Sequence, residues 1–250
     1  MAITNVTIAG AGTMGSQIAW QVAFGGYIVT VFDVYEKSLQ VAQRAHRQYA
    51  DLFMESYGAS KQAVEETAAR LHYTTDLVEA VKNADIVSES IPENLEIKQS
   101  FFSDLSDAAP AKTIFTTNTS TLVPCEIVAA VDRPKRFLAL HFSNPVWGSN
   151  VAEVMGHPTT DPFVFSQIVE FARSIGMVPI PLNKEQPGYI MNSLLVPFLA
   201  AAGNLYVQGV TDHESIDKIW MISTRSKMGP FGMMDIANLI VPSRLLSWAR

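Results

Sequence analysis

A glycine-rich turn near the N-terminus restricts this chain to a small set of folds. Residues 10–15 read Gly-Ala-Gly-Thr-Met-Gly, which is a G-x-G-x-x-G pattern between a β-rich run at 3–9 and a helical stretch at 13–25. The first glycine permits a tight turn, the second lets the backbone approach a pyrophosphate, and the third allows close packing of helix on strand. The motif therefore predicts a strand–turn–helix unit that binds a dinucleotide at the helix N-terminus.

Asp33 strengthens this prediction, because it follows the second strand candidate at residues 28–32. A carboxylate at this position can accept hydrogen bonds from the ribose hydroxyls of an adenosine and would repel a 2′-phosphate. No arginine or lysine stands directly beside it in the sequence. NAD is therefore the expected cofactor in preference to NADP. The alternative is a glycine-rich turn followed by a solvated aspartate.

Short β-rich runs alternate with helical stretches over the first two thirds of the chain, which predicts a parallel sheet with helices on both faces. Further strands are expected at 84–88, 113–117, 137–141, 151–155 and 177–181, and further helices at 36–56, 95–108 and 161–174. The pattern then changes to a long apolar helix at 187–207 and another that opens at Thr211 with a capping-box spacing to Glu214. We therefore predict an α/β fold, with a Rossmann-type doubly wound domain at 1–184 and a smaller all-helical domain at 185–250.

Composition restricts the partners and the location of the chain. The net charge of -6 argues against nucleic-acid binding, which needs a basic surface. No apolar run is long enough to cross a membrane, and nothing at the N-terminus resembles a signal peptide. Cys125 is the single cysteine, which favours a cytoplasmic location and cannot build a zinc site, so no metal is predicted.

Several separate motifs occur in one order along the chain. They are GAGTMG at 10–15, SIPENLEIK at 90–98, TTNTSTL at 116–122, HFSNP at 141–145, QPGYIMNSLLVPF at 186–198 and MGPFGMMD at 228–235. Together they resemble the 3-hydroxyacyl-CoA dehydrogenase family of fatty acid metabolism. The resemblance implies an NAD-binding domain, a helical substrate and dimerisation domain, and hence a homodimer. It also implies hydride transfer between NAD and a small-molecule acyl-CoA substrate, with short-chain 3-hydroxybutyryl-CoA favoured.

The resemblance implies a catalytic role for four residues: His141, Glu153, Ser120 and Asn192. Oxidation of an alcohol needs a group that takes the proton, and imidazole suits this task because its ordinary pKa of about 6.5 is near neutral. Glu153 could hydrogen-bond the far ring nitrogen, and Ser120 and Asn192 could hydrogen-bond the reacting oxygen. The alternatives are that His141 is a core histidine and that Glu153 is a surface carboxylate. Ser120 could instead cap a helix near residue 122, and Asn192 could satisfy polar groups inside a buried helix.

The cofactor-binding residues implied by the resemblance fall into three groups. The glycine turn contributes Gly10, Gly12, Thr13, Met14 and Gly15, and Asp33 is the ribose acid. Glu93 and Lys98 are expected to lie along the cofactor as a pair. Ser120 is expected to bridge cofactor and substrate, and Asn144 to lie near the nicotinamide. The other histidines look unrelated to the site, and His46 is expected on the charged face of its helix.

Three features depart from the family pattern. The chain looks shortened after residue 235, which puts dimerisation in question. Ser143 and Trp147 could reshape the substrate pocket, and the helix after Asp33 lacks the lysine-rich region that meets coenzyme A in some members. Two alternatives therefore stay open: an NAD-dependent dehydrogenase of a free hydroxy acid or carnitine-like alcohol, and a catalytically silent NAD-binding relative.

Overall fold

The computed structural model describes residues 3–236. The chain divides into two compact units, Met1–Pro187 and Gly188–Arg250. The strands of the first unit are β1 Asn5–Ala9, β2 Ile28–Phe32, β3 Leu71–Thr74, β4 Ile86–Glu89, β5 Ile114–Thr117, β6 Phe137–Phe142, β7 Val151–Met155 and β8 Val178–Leu182. Its helices are α1 Thr13–Phe24, α2 Glu36–Tyr57, α3 Lys61–Ala69, α4 Leu77–Val81, α5 Leu95–Ala108, α6 Pro124–Ile127, α7 Val146–Ser149 and α8 Pro162–Ser174. The second unit contains α9 Met191–Val207, α10 His213–Thr224 and α11 Pro230–Ile236.

All eight strands form one sheet in the order β3-β2-β1-β4-β5-β6-β7-β8. Neighbouring strands are parallel except β6 and β7, which are antiparallel. Consecutive residues of a strand face opposite sides, so Ile8 and Ala9 of β1 enter two different core clusters. The fold confirms the predicted Rossmann-type doubly wound sheet. Between α2 and β4 the sequence indicates a charged helix before His72, which is α3, and misses β3 and α4.

Helix α2 packs one face against the sheet and ends at Gly58, whose φ of 67° is in the left-handed region that favours glycine. Its buried residues are Leu39, Ala42, His46 and Phe53, at helical spacing. The prediction that His46 lies on the charged face is wrong, because this side chain is only 3% exposed. The ring has polar partners on α1 and β3, and these satisfy its nitrogens inside the core.

The described part of the second unit is helical and has its own apolar cluster, in which Leu199 and Ala202 of α9 pack with Ile216, Phe231 and Met234. Helix α10 is capped by Asp212, whose carboxylate accepts from the Ser215 amide at 2.7 Å. The predicted capping box at Thr211 is therefore wrong by one residue, because the aspartate is the better placed acceptor.

No helix within residues 3–236 combines the length and apolar character needed to cross a bilayer. The predicted shortening of the C-terminus falls on residues 237–250, which lie outside the described part of the chain.

Candidate active site

The glycine turn connects β1 to α1 at the point where the strand order reverses, between β1 and β4. Gly10 has a φ of 100°, and a Cβ there would lie 2.5 Å from the carbonyl oxygen of Ser90. A Cβ on Gly15 would lie 1.8 Å from the carbonyl oxygen of Gly10, whereas one on Gly12 would meet no atom within 4 Å. Packing therefore requires glycine at positions 10 and 15. Gly12 leaves open space in front of the helix.

The start of α1 can accept an anion. Gly12 is its N-cap, and within residues 3–236 no side chain caps this helix end. The first-turn amides therefore point outward with the positive end of the helix dipole, which suits a pyrophosphate. Thr13 and Met14 occupy the first two positions of that turn. Space at Gly12 and an uncapped helix end together fit the phosphates of NAD.

Asp33 lies directly after β2 and is fixed against the glycine turn. One carboxylate oxygen accepts from the Ala11 amide at 2.8 Å and the other from the Tyr35 amide at 2.9 Å. These bonds hold the carboxyl group beside the turn, and it stays half-buried. Each carboxylate oxygen of Asp33 can accept two hydrogen bonds, so both can still accept from ribose hydroxyls while they accept from the backbone amides.

His141 and Glu153 are direct cross-strand neighbours, because the antiparallel register pairs His141 of β6 with Glu153 of β7. Side chains at paired positions lie on one face of the sheet and within reach of each other. The ring Nδ1 is 3.0 Å from a Glu153 oxygen, and both side chains are buried. A carboxylate oxygen only accepts, so Nδ1 donates to Glu153, and Nε2 is the ring nitrogen that can accept a proton.

Ser120 is the partner of that second nitrogen. Its Oγ is 3.1 Å from His141 Nε2, and with Nδ1 protonated the hydroxyl donates to Nε2. The alternative in which Ser120 caps a helix is wrong, since α6 begins at Pro124 with Val123 as its N-cap. The structure thus brings Ser120, His141 and Glu153 together in one hydrogen-bonded row.

The backbone around Ser120 is held by Glu93. One oxygen of its carboxylate accepts from the Ser120 and Thr121 amides, both at 2.9 Å, and from the hydroxyls of Thr119 and Thr121. Burial by itself would raise the pKa of Glu93, but the hydroxyl bonds, the Lys98 charge and the amide bond outweigh it and lower the pKa to about 2. Glu93 is therefore an ionised clamp on the loop that carries Ser120.

Lys98 links Glu93 to a second carboxylate, Glu89, which the sequence reading missed. Its Nζ is 2.6 Å from Glu89 and 3.3 Å from Glu93, and the lysine side chain is 1% exposed. Glu89 also accepts from Thr117 at 2.7 Å and from the Ile91 amide at 2.8 Å. Burial raises the pKa of Glu89, although Lys98 and these bonds act in the opposite direction. An acid that ends a fully buried strand, with a lysine nine residues later, was the available signal.

Asn144 lies in the loop after β6, and its Oδ1 accepts from Gln17 Nε2 at 3.0 Å. The loop is fixed to the core by Trp147, whose ring centroid lies 4.7 Å from that of Tyr49 and 5.4 Å from that of Phe53. Trp147 therefore packs against α2. Sequence reasoning missed Gln17, because a glutamine on a buried helix face carries no signal of its partner.

Asn192 belongs to the first turn of α9 in the second unit. Its amide donates to the Gly188 carbonyl at 3.1 Å, and its side chain is half-buried. Its role at the substrate stays a prediction.

Comparisons with known proteins agree with this geometry. Residues 5–186 match the NAD-binding domain of 3-hydroxyacyl-CoA dehydrogenase, and residues 188–249 match the C-terminal domain of the same family. The human mitochondrial hydroxyacyl-coenzyme A dehydrogenase is 36% identical, over 95% of this chain and 77% of its own length. A probable 3-hydroxybutyryl-CoA dehydrogenase of Bacillus subtilis is 30% identical, over 96% of this chain and 83% of its own.

Among solved structures, a diketoreductase described as acting on dicarbonyl compounds superposes with a TM-score of 0.91 at 49% identity. The match covers 95% of this chain and 84% of that one. With both family domains matched along nearly its whole length, this chain belongs to the NAD-dependent 3-hydroxyacyl-CoA dehydrogenase family.

Proposed function

We propose that this chain interconverts a short-chain 3-hydroxyacyl-CoA, such as 3-hydroxybutyryl-CoA, and the corresponding 3-oxoacyl-CoA, with His141 as the general base. The observation that carries the proposal is the row from Ser120 through His141 to Glu153, at 3.1 Å and 3.0 Å. A base whose far nitrogen faces a carboxylate and whose near nitrogen faces a hydroxyl is suited to move a proton at an alcohol oxygen.

The proton and the hydride leave the substrate separately. His141 Nε2 takes the proton from the alcohol oxygen, and the negative charge of Glu153 stabilises the imidazolium that results. Ser120 donates a hydrogen bond to the same oxygen as it becomes a carbonyl, and we assign Asn192 the same role. NAD, when bound, supplies the acceptor for the hydride from carbon.

The cofactor is held, in this proposal, along the carboxyl edge of the sheet. The turn at Gly10–Gly15 and the start of α1 take the pyrophosphate, and Asp33 takes the adenosine ribose. Glu93 lies beside the path toward Asn144 at the nicotinamide, and Lys98, which is buried, holds Glu93 from behind. Because Asp33 carries a negative charge, a 2′-phosphate would be repelled, so NADH should bind more tightly than NADPH. Equal dissociation constants by fluorescence titration would contradict the assignment of Asp33.

The thioester assignment is tested by a substrate pair. Acetoacetyl-CoA and free acetoacetate carry the same reacting ketone and differ only in the coenzyme A group. We expect NADH oxidation with acetoacetyl-CoA to show the larger kcat/KM, measured at 340 nm with each substrate. Activity with the free acid alone would overturn the thioester assignment while leaving the proton chemistry intact.

A second candidate substrate is a small compound without coenzyme A, such as a free hydroxy acid. The diketoreductase supports this candidate, since it matches at 49% identity and is described as acting on dicarbonyl compounds. A free dicarbonyl ester belongs in the same assay. The higher kcat/KM of the two classes decides between them.

We further propose that residues 185–250 form a dimerisation domain. The second unit exposes large apolar side chains, including Leu194 at 68% on α9 and Ile219 at 67% and Ile222 at 70% on α10. Large apolar side chains exposed to this degree are costly in water, and a subunit interface would cover them. Sedimentation equilibrium should give twice the chain mass, and Ile222→Glu should shift the mass toward the monomer. A monomeric wild-type chain would contradict the proposal.

A further inference from the structure

Gln17 joins the phosphate-binding helix to the loop that carries Asn144. It lies on α1 one turn after Thr13, and its side chain is only 6% exposed. Its Oε1 accepts from the Val146 amide at 3.0 Å, and its Nε2 donates to Asn144 Oδ1 at 3.0 Å. Both ends of the amide are thus engaged with the same loop.

These two bonds determine which way the Asn144 amide faces. A backbone N–H can only donate, so the Val146 amide requires the oxygen of Gln17. The nitrogen of Gln17 then faces Asn144 and can only donate, so Asn144 must accept with Oδ1. The Nδ2 group of Asn144 is therefore turned away from Gln17, where it can act as a donor.

We infer that Gln17 is a positioning residue that holds Asn144 as a hydrogen-bond donor toward the carboxamide oxygen of the nicotinamide. The inference rests on the proposed function, in which Asn144 lies at that ring. It adds that the donor face of Asn144 is set by α1, the same helix whose N-terminus takes the pyrophosphate.

The loop itself is held independently of Gln17. Val146 is buried, Trp147 packs against α2, and the Phe142 amide donates to Asn118 Oδ1 at 2.9 Å. Substitutions at position 17 should therefore change the orientation of the Asn144 amide more than the path of the backbone.

Two variants separate positioning from simple structural support. In Gln17→Glu, the carboxylate still accepts from the Val146 amide but cannot donate, so Asn144 turns and presents Oδ1 to the cofactor. In Gln17→Met, both bonds are lost and the Asn144 amide is free to rotate. Positioning predicts that Gln17→Glu weakens NADH binding more than Gln17→Met. A purely structural role predicts the opposite order, because Gln17→Glu keeps one bond.

NADH fluorescence titration measures the effect without turnover. In Gln17→Met we expect the Kd to rise about fivefold, because the hydrogen bond from Asn144 to the cofactor is no longer held in place. In Gln17→Glu we expect a rise of about twentyfold, because Asn144 Oδ1 then faces the carbonyl oxygen of the cofactor and two acceptors oppose each other. Hydrogen exchange at the Val146 amide of the protein without cofactor should be accelerated in Gln17→Met and remain slow in Gln17→Glu. The inference would be overturned if Gln17→Glu bound NADH with the Kd of the wild type. It would also be overturned if Gln17→Met bound NADH more weakly than Gln17→Glu.

Gln21 provides the matched control. It lies one turn further along α1, is buried, and its Nε2 donates to the Ile175 carbonyl at 2.7 Å. Gln21→Glu and Gln21→Met make the same chemical changes on the same helix away from Asn144. Both should leave the Kd for NADH within twofold of the wild-type value, and a larger change would attribute the effect at position 17 to helix damage.

A cofactor analogue tests the donor assignment directly. Reduced 3-acetylpyridine adenine dinucleotide keeps the carbonyl oxygen of the nicotinamide group and lacks its amide nitrogen. The wild type should bind both forms with similar Kd, whereas Gln17→Glu should bind the analogue less well than NADH, because a turned Asn144 needs the missing N–H. Equal ratios in the two proteins would contradict the inference.

The variant Asn144→Asp distinguishes a failure of the proposed cofactor site from a failure of the positioning role of Gln17. Its side chain has the same shape and only acceptors, so it should weaken NADH binding as Gln17→Glu does. If Asn144→Asp binds NADH normally, Asn144 is not at the cofactor and that part of the proposed function fails. If Asn144→Asp is weakened and Gln17→Glu is not, only the positioning role fails.

Discussion

Two histidines of the first unit are buried to a similar degree, yet their surroundings give them different chemistry. His141 is 7% exposed and His46 is 3% exposed. Nδ1 of His141 faces the carboxylate of Glu153, whereas both nitrogens of His46 face uncharged groups. The two rings thus differ in the group that they face: His141 faces a carboxylate that can stabilise an imidazolium, whereas His46 faces a carbonyl and a hydroxyl.

The protonation of His46 follows from its neighbours. The Ser16 carbonyl, 2.8 Å from Nε2, can only accept, so Nε2 carries the proton. Nδ1 then accepts from the Tyr73 hydroxyl at 2.6 Å. Burial lowers the pKa of His46 to about 4, and the bond to Ser16 opposes this only in part. His46 is thus a neutral bridge between α1, α2 and β3.

The largest expected effect is at the base itself. His141→Ala should lower kcat by at least about 100-fold, the lower end of general-base contributions, and leave the Kd for NADH nearly unchanged. His46→Ala, assayed at a temperature where it is folded, should keep its kcat. Steady-state kinetics with acetoacetyl-CoA and NADH provide the comparison, and unchanged turnover in His141→Ala would remove that residue from its role.

The second prediction concerns stability and pH. Because the pKa of His46 is lowered in the folded state, the unfolded chain binds more protons between pH 6.5 and 4. The stabilisation is complete above pH 6.5 and is lost as the pH falls toward 4, by up to about 3 kcal/mol. Urea unfolding at several pH values measures it.

The matched variant is His46→Phe, which has no titrating ring. Its free energy of unfolding should lack the contribution of His46 in that window, so the difference between wild type and variant should shrink as the pH falls. A constant difference between pH 6.5 and 4 would contradict the lowered pKa.

The third prediction removes the charge that separates the two histidines. Glu153→Gln keeps an acceptor for Nδ1–H but cannot stabilise the imidazolium by charge. We expect kcat to fall about 10–100-fold, the loss of one charge-assisted hydrogen bond. Glu170→Gln, on the exposed face of α8, is the control and should be silent. A kcat within twofold of wild type in Glu153→Gln would leave Glu153 without a catalytic effect.

The smallest effect is expected at Tyr73. Tyr73→Phe deletes the hydroxyl that donates to His46 Nδ1 and should lower the free energy of unfolding by about 1 kcal/mol. It should not change kcat, in contrast to Ser120→Ala, which removes the hydroxyl that faces His141 Nε2. Urea unfolding and steady-state rates should be measured on both variants. Slower turnover in Tyr73→Phe would contradict the assignment of this hydroxyl to stability alone.

Local patterns in the sequence were enough for most of the fold. The glycine turn and the strands at 28–32 and 151–155 were predictable because turn geometry and strand alternation depend on neighbouring residues. The helix at 95–108 was placed to the residue. Strand β3 and helix α4 were missed, since they are only four and five residues long.

The candidate site was predictable only in part. His141, Glu153 and Ser120 could be named from motifs, and their catalytic roles stay predictions. Gln17 could not be named, since its partner Asn144 follows β6, whereas Glu89 was missed although Lys98 nine residues later was a signal. A sequence shows that a buried acid or amide exists, but not which group satisfies it.

Short-range sequence patterns were sufficient for most of the strands and helices, for the nucleotide-binding turn and for the candidate titratable groups. The tertiary structure decided which histidine faces a carboxylate. His46 and His141 are the same residue, and only the antiparallel pairing of β6 with β7 puts Glu153 opposite the second one. Hydrogen-bond partners are selected by distance in space, and chain separation alone does not contain that distance.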